Sequence, residues 1–181
     1  MWGADFTFGK AARARKAAVG VIAPLVAQTR ERLREIPAHA WLDPYLIGFM
    51  ATLITIIARQ RFAACDSRLL ASIQEAAWGE ITGLPPELLG QEIIALSMAQ
   101  NRNFISGCQD SFAIAKRIFC EAATSSAAAG WSDLSPGALT ESAFGDGEIA
   151  AALDERADLA RLWIEYFDAR IVELPLARSD N

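Results

Sequence analysis

Histidine is nearly absent from this chain: His39 is the only one in 181 residues. A single imidazole excludes paired-histidine zinc motifs and the usual di-iron bundle, which needs two Glu-x-x-His units. Glu35 and Asp43 lie four residues to either side of it. Pro37 and Pro44, however, break the helical geometry that would gather the three groups. His39 therefore reads as a loop histidine with no special role. Cysteine is scarce too. Cys65, Cys108 and Cys120 form no C-x-x-C and leave one thiol over in any pairing. In apolar, helical surroundings they read as small buried hydrophobes in a reducing compartment, which makes the cytoplasm the expected location. Only two tyrosines occur, and β-branched residues rarely alternate with polar ones, a composition that favours helix over sheet.

No hydrophobic run is long enough to span a bilayer. The longest uncharged run of interest, Tyr45 to Ala58, has fourteen residues and is followed at once by Arg59 and Arg61. At helical rise it measures about 21 Å, against roughly 30 Å of hydrocarbon. Near the start, "KAARARKAAVGVIAPLVAQ" has the basic-then-apolar order of a secretory signal. Leu25 and Pro24 nevertheless stand where a cleavage site needs small, permissive residues, so no secretory signal is expected.

Phosphate and metal motifs fail in identifiable ways. Gly9-Lys10 lacks the glycine spacing of a Walker A loop, and Ala11 stands where Ser or Thr is required. "GDGEIA" (Gly145 to Ala150) meets a loose G-x-G-x-x-A spacing, but no buried strand precedes it and Asp146 and Glu148 would repel a pyrophosphate. It reads as a helix start. An EF-hand ligand set and a G-x-S-x-G elbow are both missing. No cofactor and no metal are expected. The net charge of −5 also argues against nucleic acid as a partner.

What the chain does contain is apolar helix. Hydrophobic residues make up 52% and charged residues 22%, a composition of a folded domain rather than a disordered one. The pattern predicts an all-α fold: one domain, a bundle of five to seven helices around a central apolar helix. A first helical stretch runs from about Lys10 to Glu35, interrupted at Gly20 and Pro24, as two short helices or one bent one. Asp43-Pro44 is an N-cap and first residue, opening a helix to about Ala64. Asp66 caps the next, which Gly83 stops. "LPPE" opens a fourth that reaches about Gln100, and a fifth begins near Asp110. Residues 1–16 form an N-terminal arm, 131–147 a long loop, and 146–174 a long amphipathic helix ended by Pro175.

The run after Pro44 is apolar on all sides, with Leu46, Ile47, Phe49, Met50, Leu53, Ile54, Ile56 and Ile57. A helix without a polar face must be wrapped by others, so it is placed at the centre, with Thr52 and Thr55 returning their hydroxyls to its own backbone. The last helix instead carries a stripe: Leu153, Ala160, Trp163, Phe167 and Ile171 recur at spacings of three, four and seven. Asp154, Glu155, Asp158, Glu165 and Asp168 are assigned to its other faces. A stripe of that length suits both a core and a two-fold interface, so these apolar residues are candidates for homo-oligomer contact.

The densest polar cluster is "SMAQNRNFISGCQD", expected at a helix-to-helix junction. It offers Gln100, Asn101, Arg102, Asn103, Gln109 and Asp110 as ligand-binding candidates, weighed against a role as helix caps. At the amino terminus, Trp2, Phe6 and Phe8 precede Lys10, Arg13, Arg15 and Lys16, an order that suits peripheral contact with an anionic membrane or, preferably, a docking arm. Residues 1–34 carry seven basic against two acidic residues, and 121–181 carry four against twelve; head and tail can attract each other, within one chain or between two, but the plainer reading is two solvated faces of separate helices.

No catalytic set assembles from spacing alone. The leading expectation is a non-catalytic helical interaction or assembly module, a homo-oligomer with a possible protein partner. The alternative is a small-molecule-binding protein with its cavity between the central helix and the fourth and fifth helices. An enzyme using carboxylates such as Glu75, Glu92 or Asp110 ranks third.

Overall fold

Asp43 begins the centre of the molecule. Its carboxylate Oδ1 accepts the backbone N–H groups of Tyr45 and Leu46 at 3.1 and 3.3 Å, satisfying donors that a helix start leaves orphaned. Pro44 follows as first helical residue, where its missing N–H costs nothing. A computed structural model of the chain describes residues 4–61, 66–85, 89–126 and 157–174, and side chains at 9–60, 66–85, 89–119 and 157–174. Within them α1 is Ala4–Leu33, a 3-10 turn is Ala38–Leu42, and α2 is Pro44–Arg61. Then come α3, Ser67–Thr82, α4, Leu89–Met98, and α5, Arg102–Ser126. The last helix, α6, is described over 157–173. Every regular element among the described residues is helical, in one compact body.

The uncharged run is the core helix. Leu46, Phe49, Met50, Leu53 and Ile54 of α2 are wholly buried, each apolar side chain of that size contributing about 2 kcal/mol on removal from water. Helices α1, α3 and α5 pack around it. Thr55 donates to the Ala51 carbonyl at 2.7 Å, and Gln74 of α3 donates to Thr55 Oγ1 at 2.7 Å. Of the two threonines expected to bond within the fold, Thr55 does so. Among the described residues no helix is long and apolar enough to cross a membrane.

Two glycines let α2 and α5 approach backbone to backbone. A Cβ on Gly48 would run into the Phe104 carbonyl oxygen and lie 3.2 Å from Cys108 Sγ. A Cβ on Gly107 would run into the Tyr45 carbonyl oxygen and lie 2.9 Å from the Phe49 nitrogen. Only glycine fits at either point.

Three expectations need correction. Helix α1 begins at Ala4 rather than near Lys10, and of the two forms left open it is one helix, continuous through Pro24. Pro24 and Gly20 are both exposed, and Gly20 is the i−4 residue whose carbonyl the proline frees, so water can take that acceptor. Helix α5 starts at Arg102 rather than near Asp110. Asp168, placed by the stripe on an outer face, is buried, because α6 makes a π turn over Ile164–Asp168. That wider turn brings Phe167 and Asp168 inward together.

Helix α3 begins and ends where the sequence indicates. Asp66 accepts from the Leu69 nitrogen at 2.7 Å, and Gly83 takes φ +77° at its C-terminus. Arg30 of α1 donates to the Ile81 carbonyl at 3.2 Å, tying the end of α1 to the end of α3. The expected N-terminal arm contacts of Trp2, Phe6 and Phe8, the loop 131–147, the Asp146 cap and Leu153 lie outside the residues or side chains described.

Candidate functional site

An aromatic cluster joins four elements and forms one wall of a groove. Trp163 and Phe167 of α6 stack at 4.5 Å, and Phe49 of α2 meets Trp163 edge-on at 5.7 Å. Trp41 of the 3-10 turn lies 5.8 Å from Phe167 and meets Trp78 of α3 at 6.1 Å with ring planes 77° apart. Edge-to-face pairs of this kind add a fraction of a kcal/mol to about 1.5 kcal/mol beyond their burial.

Beyond Trp41 and Trp78 the surface opens into a groove of about 670 Å3. Its floor is Trp41, Ile47 and Trp78. The 3-10 turn contributes Ala38 and Leu42 to one side, and the α3–α4 connection and α4 contribute Leu84, Pro85 and Leu89 to the other. Leu42 is 68% exposed. Two polar side chains complete the lining, His39 and Glu92. Glu92 is in the first turn of α4 and is exposed. Among the described residues it makes no hydrogen bond or ion pair. The histidine read as having no special role thus stands in the wall of the groove.

The six junction residues have separate positions. Gln100 takes φ +49° and its N–H bonds to the Ser97 carbonyl at 3.1 Å, while the Asn101 N–H bonds to Leu96 at 3.0 Å. This paired pattern closes the end of α4. Asn101 Oδ1 then accepts from the Phe104 nitrogen at 3.1 Å and so caps α5. Arg102, Asn103 and Gln109 are exposed. Asp110 faces another way, accepting from the Tyr45 hydroxyl at 2.9 Å. None of the six lines the groove.

The stripe of α6 is spent largely within the chain. Trp163, Phe167 and Ile171 are buried in its own core, and Ala160 is half-buried. Two charged clusters hold this helix down. Asp168 accepts from Arg32 Nε at 2.6 Å and from the Thr29 hydroxyl at 2.6 Å. Thr29 Oγ1 in turn accepts from Trp163 Nε1 at 2.9 Å. A residue of the basic head and one of the acidic tail meet here.

The second cluster surrounds Tyr45. Arg170 donates to both oxygens of Asp43 and lies 5.6 Å over the Tyr45 ring. The hydrogen bond to Asp43 holds the guanidinium proton more tightly than usual. Burial, then the hydrogen bond to Asp110, pushes the Tyr45 phenol well above its ordinary range. A phenol held protonated in this way is a donor and not a base. These contacts are all internal. Among the described residues no three His, Cys, Asp or Glu side chains are gathered as metal ligands would be. Cys108 is a free, half-buried thiol.

Sequence reasoning missed the groove. Trp41, between Pro37 and Pro44, is the one local sign: a large aromatic in a short apolar connection needs a wall to lie against. Its partner Trp78 is thirty-seven residues away, and spacing cannot join them. Comparison with family models, with curated proteins and with solved structures finds no match.

Proposed function

We propose that this chain is a non-catalytic binding protein for a small, largely apolar molecule, held in the groove between the 3-10 turn, α3 and α4. The observation that carries this reading is the groove itself: about 670 Å3, with a tryptophan-lined floor and two polar groups in its wall. Volumes of 300–1,000 Å3, mostly apolar with a few polar groups, are typical of small-ligand sites. The site shares the central helix and α4 with the cavity expected from sequence, but takes α3 and the 3-10 turn in place of α5.

The test is titration with Nile red, a neutral apolar dye whose emission rises out of water. Saturable binding is expected, and Ala38→Trp, which fills the groove from an exposed position, should weaken it at least about tenfold. Unsaturable dye uptake, or an Ala38→Trp variant that binds as well as the parent, would remove the reading.

A second reading, an interaction or assembly module, is favoured by the outer face of α4. Ile94 and Met98, one turn apart, are 60% and 80% exposed. Such a pair suits contact with a second copy or another protein. Sedimentation equilibrium of the parent and of Met98→Asp tests it: a dimer that the substitution dissociates supports it, and a monomer at tens of micromolar rejects self-association.

A further inference from the structure

We infer that the molecule held in the groove carries a positive charge: an amphiphilic amine whose apolar body lies on Trp41, Ile47 and Trp78 and whose ammonium meets Glu92. This rests on the groove being a ligand site, and adds the ligand's class to that reading. Three observations favour a cation. Glu92 is the one carboxylate among the described lining residues, and no Lys or Arg is among them. It has no ion-pair or hydrogen-bond partner among the described residues. This contrasts with Asp43 and Asp168, whose carboxylates are each matched by an arginine.

The other polar lining group, His39, carries a ring nitrogen that can accept an N–H from an ammonium. The floor serves the apolar body: Trp41 and Trp78 stand nearly perpendicular, at 77°, and offer it two indole rings. A carboxylate ligand would meet repulsion from Glu92 with no guanidinium or ammonium to offset it. A neutral ligand would cover the floor and leave Glu92 unmatched.

The experiment compares three probes of one chain length, octylamine, 1-octanol and octanoate, by calorimetric titration at about pH 8. That pH lies above the ordinary histidine range and below that of alkylamines. Octylamine is expected to bind tightest and octanoate weakest. Because Glu92 is exposed, its ion pair is screened, and Glu92→Gln should lower octylamine affinity only about fivefold, to the level of octanol. The octanol affinity should stay as it was.

Equal binding of all three probes, or a Glu92→Gln variant that holds octylamine unchanged, overturns the charge inference while leaving an apolar site standing. Failure of every probe to bind, with Nile red also excluded, overturns the site and the charge together. Binding of octanoate above octylamine would assign the opposite ligand class.

Discussion

Arg170 grips Asp43 with both arms of its guanidinium, at 3.0 and 2.8 Å, and so joins the last helix to the first turn of the central one. The Asp43 side chain is only 7% exposed, and the same carboxylate caps α2 through Tyr45 and Leu46. Removing it breaks a cap and leaves the partly buried Arg170 with the exposed Glu173 as its remaining ion-pair partner. Asp43→Ala should cost about 3 kcal/mol. Arg170→Met should cost less, since Asp43 keeps its two backbone donors. Urea midpoints of the two variants and of the double variant decide this, and equal costs for both would contradict the cap's share.

Thr29 is a relay of a similar kind. Its hydroxyl donates to Asp168 and accepts from Trp163, inside the core. Thr29→Val keeps the shape but leaves an indole N–H without its partner, and should cost about 2 kcal/mol. Thr29→Ser restores the hydroxyl and should recover most of it. Thermal denaturation of the pair is the measurement; a serine as damaging as valine would mean that packing, not the hydroxyl, matters.

The glycines divide into two kinds. Gly48→Ala and Gly107→Ala each place a methyl against backbone of the opposite helix, where nothing flexible can give way, and should cost about 3 kcal/mol or more. Gly20→Ala meets open space on an exposed face of α1 and should stabilise by about 1 kcal/mol, the helix-propensity difference. Opposite signs in denaturant unfolding are expected from one and the same substitution.

Alkaline stability should depend on Tyr45. Its phenol is raised by burial and by Asp110 in the folded state, while the unfolded chain releases that proton near about pH 10. Above that pH the unfolded state binds fewer protons than the folded one, so stability is complete below it and falls as pH rises through it. Tyr45→Phe should remove most of this slope. In a Tyr166→Phe background, where Tyr45 is the remaining tyrosine, tyrosinate absorbance should appear only with unfolding.

Gln100 occupies a left-handed position, φ +49°, at the close of α4. That conformation costs a side-chain-bearing residue about 1 kcal/mol relative to glycine. Gln100→Gly should therefore stabilise the protein by about that amount without altering Nile red binding. Loss of stability would show that the glutamine side chain has work of its own at the junction.

These residues also show what could be read in advance. Asp43-Pro44, Asp66 and Gly83 are local signals whose chemistry acts within a few residues, and α2 and α3 begin or end on them. The central position of α2 followed from its lack of a polar face. The start of α5 was hidden because "NRNFISG" is polar and contains Gly107, which looks like a helix breaker until its contact with Tyr45 is known. Nor could periodicity place Asp168, since a π turn changes the period itself. The groove depends on Trp41 meeting Trp78 across the fold, while at the junction Gln100 and Asn101 close α4 through their backbone and the Asn101 side chain caps α5. Local chemistry was legible; pairing at a distance was not.

The π turn of α6 fixes the register of all that follows it. Each residue of an α-helix turns about 100° around the axis. Were the same residues to close into a regular α-helix, everything downstream of Ile164–Asp168 would swing by about that angle. Ile171 would leave the core, and Arg170 would lose its reach to Asp43. The bulge therefore works as a phase setter: the tryptophan that enters it and the ion pair beyond it are both engaged while the turn stays wide.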